Sequence, residues 1–430
     1  MGVVAGAERG RTGRRWRGRV AGACAAVVCV GASAVTAQTT GLPTIRKTGV
    51  EAEEIRTNHV GIVTGAPTGV YARLGGDMVR LLDDRAGRKL RISATMGSGS
   101  VNNLDDLRNL PGISLAIVQG DVLDAYAADA EQYAWLGQNV RYVGRLHNEL
   151  LHVVVREGTH DVCDLAGRRI NVGSPGSGTR ITVQRVFNDL LGLGVVFDAA
   201  ATEEGFEQLS KQRVDAMAFV VGPPAPIFAG DRTANTFAEQ RLALLPITVA
   251  TLEKGCPGVN RRGRSEATVY EEVALTSQHY PQLIAPNQTI PTLAVPAVLA
   301  AYRFDDDKAP RARATATFIQ SYLARAADPI EGFGRPGGGF SAQWCGLDVA
   351  APVKRWQRHD AAEVWLKANG QRVRTSVACS PKTVDKSFCL SDEGKAEEFR
   401  RRMTESGSGL GPTDPAYMAK FVKFVLAECS

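Results

Sequence analysis

Between residues 59 and 326, short apolar runs alternate with stretches whose apolar positions recur at helical spacing. Residues 60–63 form the first run, and Thr64-Gly65-Ala66-Pro67-Thr68-Gly69 breaks it. Tyr71, Leu74, Met78, Leu81 and Leu82 then fall at i, i+3, i+7, i+10 and i+11, one face of a helix. The same unit recurs: residues 91–95 predict a strand, Gly97-Ser98-Gly99-Ser100 a turn, and Val101, Leu104 and Leu107 a helix face. Residues 115–118, 151–155, 170–172 and 214–221 predict four more strands. The strand at 170–172 runs into Gly173-Ser174-Pro175-Gly176-Ser177-Gly178-Thr179. Val183, Val186, Phe187, Leu190 and Leu191 follow as a clean helical stripe. Strands alternating with helices predict an α/β architecture with largely parallel sheets. No internal sequence repeat is evident.

The chain changes character after this region. Residues 309–326 predict a helix, and the stretch 332–339 is glycine-rich. Residues 340–430 then carry Trp344, Trp356 and Trp365 and read as an appended, disulfide-bearing region. At the other end, residues 38–58 are polar and aperiodic, a flexible lead-in.

Composition changes the picture in one place. Hydrophobic content of 44% and charged content of 22% exclude disorder throughout and collagen-like structure. The net charge of +6 is mostly N-terminal: residues 1–37 hold Arg9, Arg11, Arg14, Arg15, Arg17 and Arg19 against Glu8, so the remainder carries +6 − 5 = +1. A nucleic-acid partner, which needs a basic footprint on the folded body, is not expected. A basic segment, an apolar stretch over 20–35 and small residues at Val35-Thr36-Ala37 read as a secretory signal over 1–37, with Gln38 first in the mature chain. Export to the periplasm gives the cysteines their meaning. Cys163, Cys256, Cys345, Cys379, Cys389 and Cys429 follow the signal, an even set open to fifteen disulfide connectivities. Cys379 and Cys389 enclose a short loop and are the expected pair. His160-x-x-Cys163 has no second pair at finger-like spacing, so no metal is expected.

Three Gly/Ser/Thr-rich turns, at 64–69, 97–100 and 173–179, each stand between a strand and a helix. In open α/β sheets, ligands bind beyond the carboxyl ends of strands. Helix N-termini offer unsatisfied N–H groups and partial positive charge, and hydroxyls add donors. The chemistry suits a small anionic ligand, although such residues also serve simply as helix caps. No Gly-x-Ser-x-Gly elbow, phosphate-binding Gly-x4-Gly-Lys-Ser/Thr loop or His-Glu-x-x-His motif is present, and no cofactor is implied. An exported enzyme on the same scaffold would have to use Cys345 as nucleophile with His359 nearby in sequence.

The turns also match something specific. Thr64-Gly65-Ala66-Pro67-Thr68-Gly69-Val70-Tyr71 resembles the opening Gly-Thr-Gly-x-x-Gly-x-Tyr segment of the TAXI family, solute-binding proteins of tripartite ATP-independent (TRAP) transporters. Gly99-Ser100-Val101-Asn102-Asn103-Leu104 is similar to its Gly-Ser-Val-Glu-Asn-Leu, and Val118-Gln119-Gly120-Asp121-Val122 to its Val-Gln-Ser-Asp-Val. Residues 172–179 resemble Val-Gly-x-Pro-Gly-Ser-Gly-Thr, and residues 293–299 a segment near the end of the family domain. The resemblance covers about residues 55–325, in family order. It implies a type II periplasmic-binding-protein fold over 59–330, with lobe 1 at about 59–150 and 270–330 and lobe 2 at about 151–269. It further implies a non-catalytic protein that delivers a dicarboxylate, or an amino acid such as glutamate, to TRAP membrane subunits. The implied cleft residues are Gly65, Thr68 and Tyr71, then Ser98, Ser100, Asn103 and Gln119. Ser174, Gly176, Ser177 and Thr179 join them from the second lobe, with Pro223 in the turn after the sixth strand. The chain departs from the pattern at Ala72, Arg73, Asn102 and Gly120, which leaves ligand choice open, as does a role as a ligand sensor for a membrane signalling partner.

Overall fold

A computed structural model describes residues 57–66, 69–84, 90–259, 270–328, 331–334 and 339–373. The lead-in, the signal region and the Cys379–Cys389 pairing lie outside these described residues. Ten strands form one continuous sheet. In chain order they are β1 (His59–Val63), β2 (Arg91–Thr95), β3 (Ile113–Gln119), β4 (Val140–Arg156), β5 (Arg169–Asn171), β6 (Val196–Asp198), β7 (Ala216–Val221), β8 (Leu242–Leu244), β9 (Glu271–Thr276) and β10 (Thr289–Tyr302). The helices that position the site are α1 (Val70–Leu82), α2 (Ser100–Asn109), α3 (Gly120–Ala128) and a helix after β5. This last, α4, begins at Gly178–Val183 and continues as a π-helix over Gln184–Leu190.

The sheet runs β2-β1-β3-β10-β4-β7-β5-β6, with β8 on β4 and β9 on β10. Its two ends are parallel, β2-β1-β3 in the first lobe and β7-β5-β6 in the second. Each end is a βαβ arrangement, because a parallel neighbour requires a crossover helix. Two long strands join the lobes. β4 pairs with β10 over residues 140–150 and then with β7 over 150–155. β10 pairs with β9 over 289–294 and with β3 over 297–301. Its register slips between Pro296 and Val298, where it changes lobe. Both strands thus serve as crossovers, and the architecture is a two-lobed α/β fold. β4 extends well beyond the strand that apolar residues 151–155 predict. Its first half alternates with Arg141, Arg145 and Asn148, so its hydrophobic pattern is broken although the backbone stays extended.

The second lobe has its own apolar core, which includes Val153, Val183, Phe187, Ile170 and Ala218. A disulfide between Cys163 and Cys256 ties a short turn to the segment after β8. This pairing was one of the fifteen possibilities, and it leaves Cys163 unavailable as a thiolate ligand for His160-x-x-Cys163.

The described residues 340–373, beyond the glycine-rich stretch, are built into the first lobe. Trp344 is buried and stacks on Phe333 at 4.1 Å between ring centroids. Asp77 of α1 accepts hydrogen bonds from Trp344 Nε1 and from the Ser341 amide, each 2.8 Å. Trp356 Nε1 donates to the Leu123 carbonyl at 3.2 Å, and residues 348 and 358 bridge to β4. Among the described residues no helix is long and apolar enough to cross a membrane.

Candidate functional site

A cleft of about 340 Å³ opens between the lobes. This volume lies in the range of small-molecule sites. The first lobe supplies the turn after β1 (Gly65, Ala66, Gly69), the start of α1 (Val70, Tyr71), the turn at 97–99 and Ser100, and Gln119 at the end of β3. The crossover β4 supplies Glu149. The second lobe supplies Ser174, Ser177, Gly178 and Thr179 at the start of α4, with Ala201, Thr202 and the end of β7. The turns after β1, β2, β3, β5 and β6 place their residues beyond the carboxyl ends of strands, while Glu149 comes from the middle of β4.

Hydrogen bonds order the floor. Tyr71 Oη donates to Glu149 Oε2 at 2.5 Å. Ser100 hydrogen-bonds the Tyr71 hydroxyl and accepts from the Gln119 backbone amide at 3.0 Å. The Gln119 side chain hydrogen-bonds Glu149, while its Oε1 has no hydrogen-bond partner. Glu149 is 3% exposed. Burial pushes its carboxyl up to about 8, with the charge of Asp121 adding to the shift and the bonds from Tyr71 and Gln119 opposing it. Burial, and then the neighbouring Glu149, hold the Tyr71 hydroxyl well above the usual phenol range. No lysine, arginine or histidine is among the described residues that line the cleft.

The lobes touch around this cleft. Asp121 of α3 accepts from Thr182 Oγ1 at 2.6 Å and from Tyr270 Oη at 3.2 Å, and Arg185 donates to its carbonyl at 3.0 Å. Thr182 and Arg185 belong to the second lobe. Gly99, with φ of 122°, lies so close to the other lobe that a Cβ there would stand 2.7 Å from Ser177 Cα. A Cβ on Gly178 would overlap Gln119 Oε1 and reach within 2.8 Å of Ser100 Oγ. The structure is therefore the closed arrangement.

Of the residues expected in the cleft, Gly65, Tyr71, Ser98, Ser100, Gln119, Ser174, Ser177 and Thr179 line it. Thr68 lies outside the described residues. Three expectations are corrected. Asn103 is fully buried behind the cleft, where its amide donates to the carbonyls of Ile117, at 2.7 Å, and Thr64. It ties α2 to the end of β1 and to β3 by satisfying two buried carbonyls. Gly176 makes a lobe-to-lobe contact, its carbonyl accepting from the amides of Val101 and Asn102 at 3.1 and 3.4 Å. Those first-turn donors of α2, expected to hold an anion, thus close the lobes instead. Pro223 forms a cis peptide with Pro224, and its carbonyl accepts from Gln343 Nε2 at 3.2 Å, away from the cleft.

Thr179 Oγ1 accepts from the Val220 amide at 3.0 Å, and Ser177 caps α4 through Arg180. Three lining groups stood outside the sequence reading, Glu149, Ala201 with Thr202, and the end of β7. A lone acid directly before Leu150 and Leu151 was the available signal, since a buried carboxyl within a strand needs a reason. Cys345, the suspected nucleophile, is disulfide-bonded. His359 accepts from the Ala361 amide at 3.2 Å at the start of its own helix, Asp360–Val373.

Residues 62–309 match the family model described as the NMT1-like family. Among solved structures, the periplasmic binding protein BugD is similar, with 12% identity over 73% of this chain and 96% of that one and a TM-score of 0.37. The aliphatic sulphonate binding protein SsuA from Escherichia coli shows 14% identity over 81% and 88%, with a TM-score of 0.33. The methionine binding protein MetQ shows 14% identity over 62% and 94%, with a TM-score of 0.31.

Proposed function

The chain belongs to the NMT1-like family, a family of periplasmic solute-binding proteins, and we propose that it captures a small carboxylate-bearing ligand in the interlobe cleft. One observation carries this reading. Hydroxyls from both lobes (Ser98, Ser100, Ser174, Ser177, Thr179 and Thr202) meet the first turn of α1 around one closed space. Helix starts and hydroxyls stabilise a carboxylate without a fixed counter-charge, and closure strengthens those contacts by excluding water. A ligand bridging both lobes favours the closed state by its differential affinity for it.

The motif order set out above supports the narrower reading, that the protein is a TAXI-type subunit delivering its solute to TRAP membrane subunits after export. Binding without catalysis is part of this reading, and the disulfide at Cys345 removes the thiol an exported enzyme would use.

A thermal-shift screen of the purified protein against amino acids, dicarboxylates, 2-oxo acids and neutral sugars tests it. Saturation with a specific ligand at 100 times its Kd stabilises the fold by about 2.7 kcal/mol. A saturable shift with a carboxylate, lost in Gly178→Ala, is expected. Shifts confined to neutral sugars would refute a carboxylate site.

A further inference from the structure

Among the described residues, none that lines the cleft is a lysine, arginine or histidine, and the charge that acts on Glu149 is that of another carboxyl, Asp121. Thr182 and Tyr270 hold Asp121 Oδ2 and Arg185 donates to its backbone carbonyl, and Asp121 is not among the described residues that line the cleft. Tyr71 from α1 and Gln119 from β3 both hydrogen-bond the Glu149 carboxyl, which orients it and leaves it as an acceptor. Tyr71 is the other titratable group on the cleft floor, and it remains a neutral donor. An anionic second end of a ligand would meet no cation among the described residues lining the cleft, and could face Glu149 only with its proton held on, since two like charges are costly at low local dielectric. A positively charged end meets the reverse situation.

We propose that Glu149 recognises a cationic nitrogen, an ammonium or guanidinium, so that the cleft selects zwitterions over dicarboxylates. The proposal rests on the carboxylate reading above. The ligand's carboxylate lies among the hydroxyls and the start of α1, and its nitrogen donates to Glu149 as a third donor beside Tyr71 and Gln119. Glu149 binds this nitrogen as a carboxylate. Because burial raises its pKa, with Asp121 adding and Tyr71 and Gln119 opposing, binding below about pH 8 displaces the Glu149 proton to buffer.

Isothermal titration of the full protein with matched pairs tests this: L-glutamate against 2-oxoglutarate, L-alanine against pyruvate, and L-leucine against 4-methyl-2-oxopentanoate, with glutarate and succinate alongside. In whichever pair binds, the amino acid is expected to bind at least about tenfold tighter than the oxo acid, ~1.4 kcal/mol. Glu149→Gln is expected to remove most of that preference, read as the ratio of the two affinities within each protein. In the wild type the amino acid binds more tightly as pH rises from about 6 to about 8, with proton release seen as a buffer-dependent heat. Those two readings use the unaltered chain and stand if the variant fails to fold. An oxo acid or dicarboxylate that binds as tightly as the amino acid, or a preference unchanged in Glu149→Gln, would overturn the role of Glu149 and leave the carboxylate site standing. Binding by none of these compounds would overturn the carboxylate site and this inference with it.

Discussion

Two glycines and one glutamate decide how the cleft works at the residue scale. Gly99 adopts a left-handed φ at the start of α2, where a side chain would be strained as well as clashing with Ser177. Gly178 lets Gln119 and Ser100 approach the second lobe. Gly178→Ala is therefore expected to hold the lobes apart. Calorimetry should show ligand affinity weakened by at least about tenfold, ~1.4 kcal/mol, with the melting temperature of the unliganded protein nearly unchanged. Glu149 makes a second prediction, about stability. Its folded pKa of about 8 stands above the ordinary glutamate value of 4.5. A raised acid pKa means the folded state holds the proton more tightly. The stabilisation is complete below about pH 4.5 and is lost as pH rises through about 8. Melting curves of the unliganded protein should fall across that window, and Glu149→Gln should flatten them.

Packing at the scale of elements explains which segments cannot be removed. The helical turn at Ala342–Gly346 is held on α1 by Asp77 and by the stack of Trp344 on Phe333. Trp344→Ala removes a buried aromatic and leaves part of the Asp77 carboxyl without its donor. A loss of about 3–5 kcal/mol is expected in denaturant unfolding. The Cys163–Cys256 disulfide closes a loop of 93 residues in the second lobe. Replacing both cysteines by serine is expected to lower stability by about 2–4 kcal/mol, measured the same way. The glycine-rich stretch marks a change of composition, yet the segment after it completes the first lobe. Only the positions of Asp77 and β4 reveal that, and they are distant in sequence.

Across the whole molecule, β4 and β10 make one sheet serve two lobes. Both crossovers are extended strands, and their pairing switches near Leu150 and near Pro296. The Asp121–Thr182 bond spans the two lobes at closure. Thr182→Val removes it and leaves Asp121 with one donor fewer. Small-angle scattering is expected to show ligand-induced compaction in the wild type and a higher ligand concentration needed for it in Thr182→Val, since closure is a population shift.

Local pattern determined much of this. Apolar periodicity set the parallel strands and the helices between them, because side chains repeat at 2.0 or 3.6 residues whatever their neighbours do. The Gly/Ser/Thr turns were legible for the same reason, since strand ends followed by helix starts can be read from adjacent residues. Tertiary structure decided the rest. It made β4 one long crossover strand and turned the α2 donors toward Gly176. It also buried Asn103 behind the cleft and brought Glu149 to Tyr71, 78 residues away. Those outcomes depend on contacts between residues remote in sequence, where desolvation and pairing, rather than local propensity, set what each side chain does.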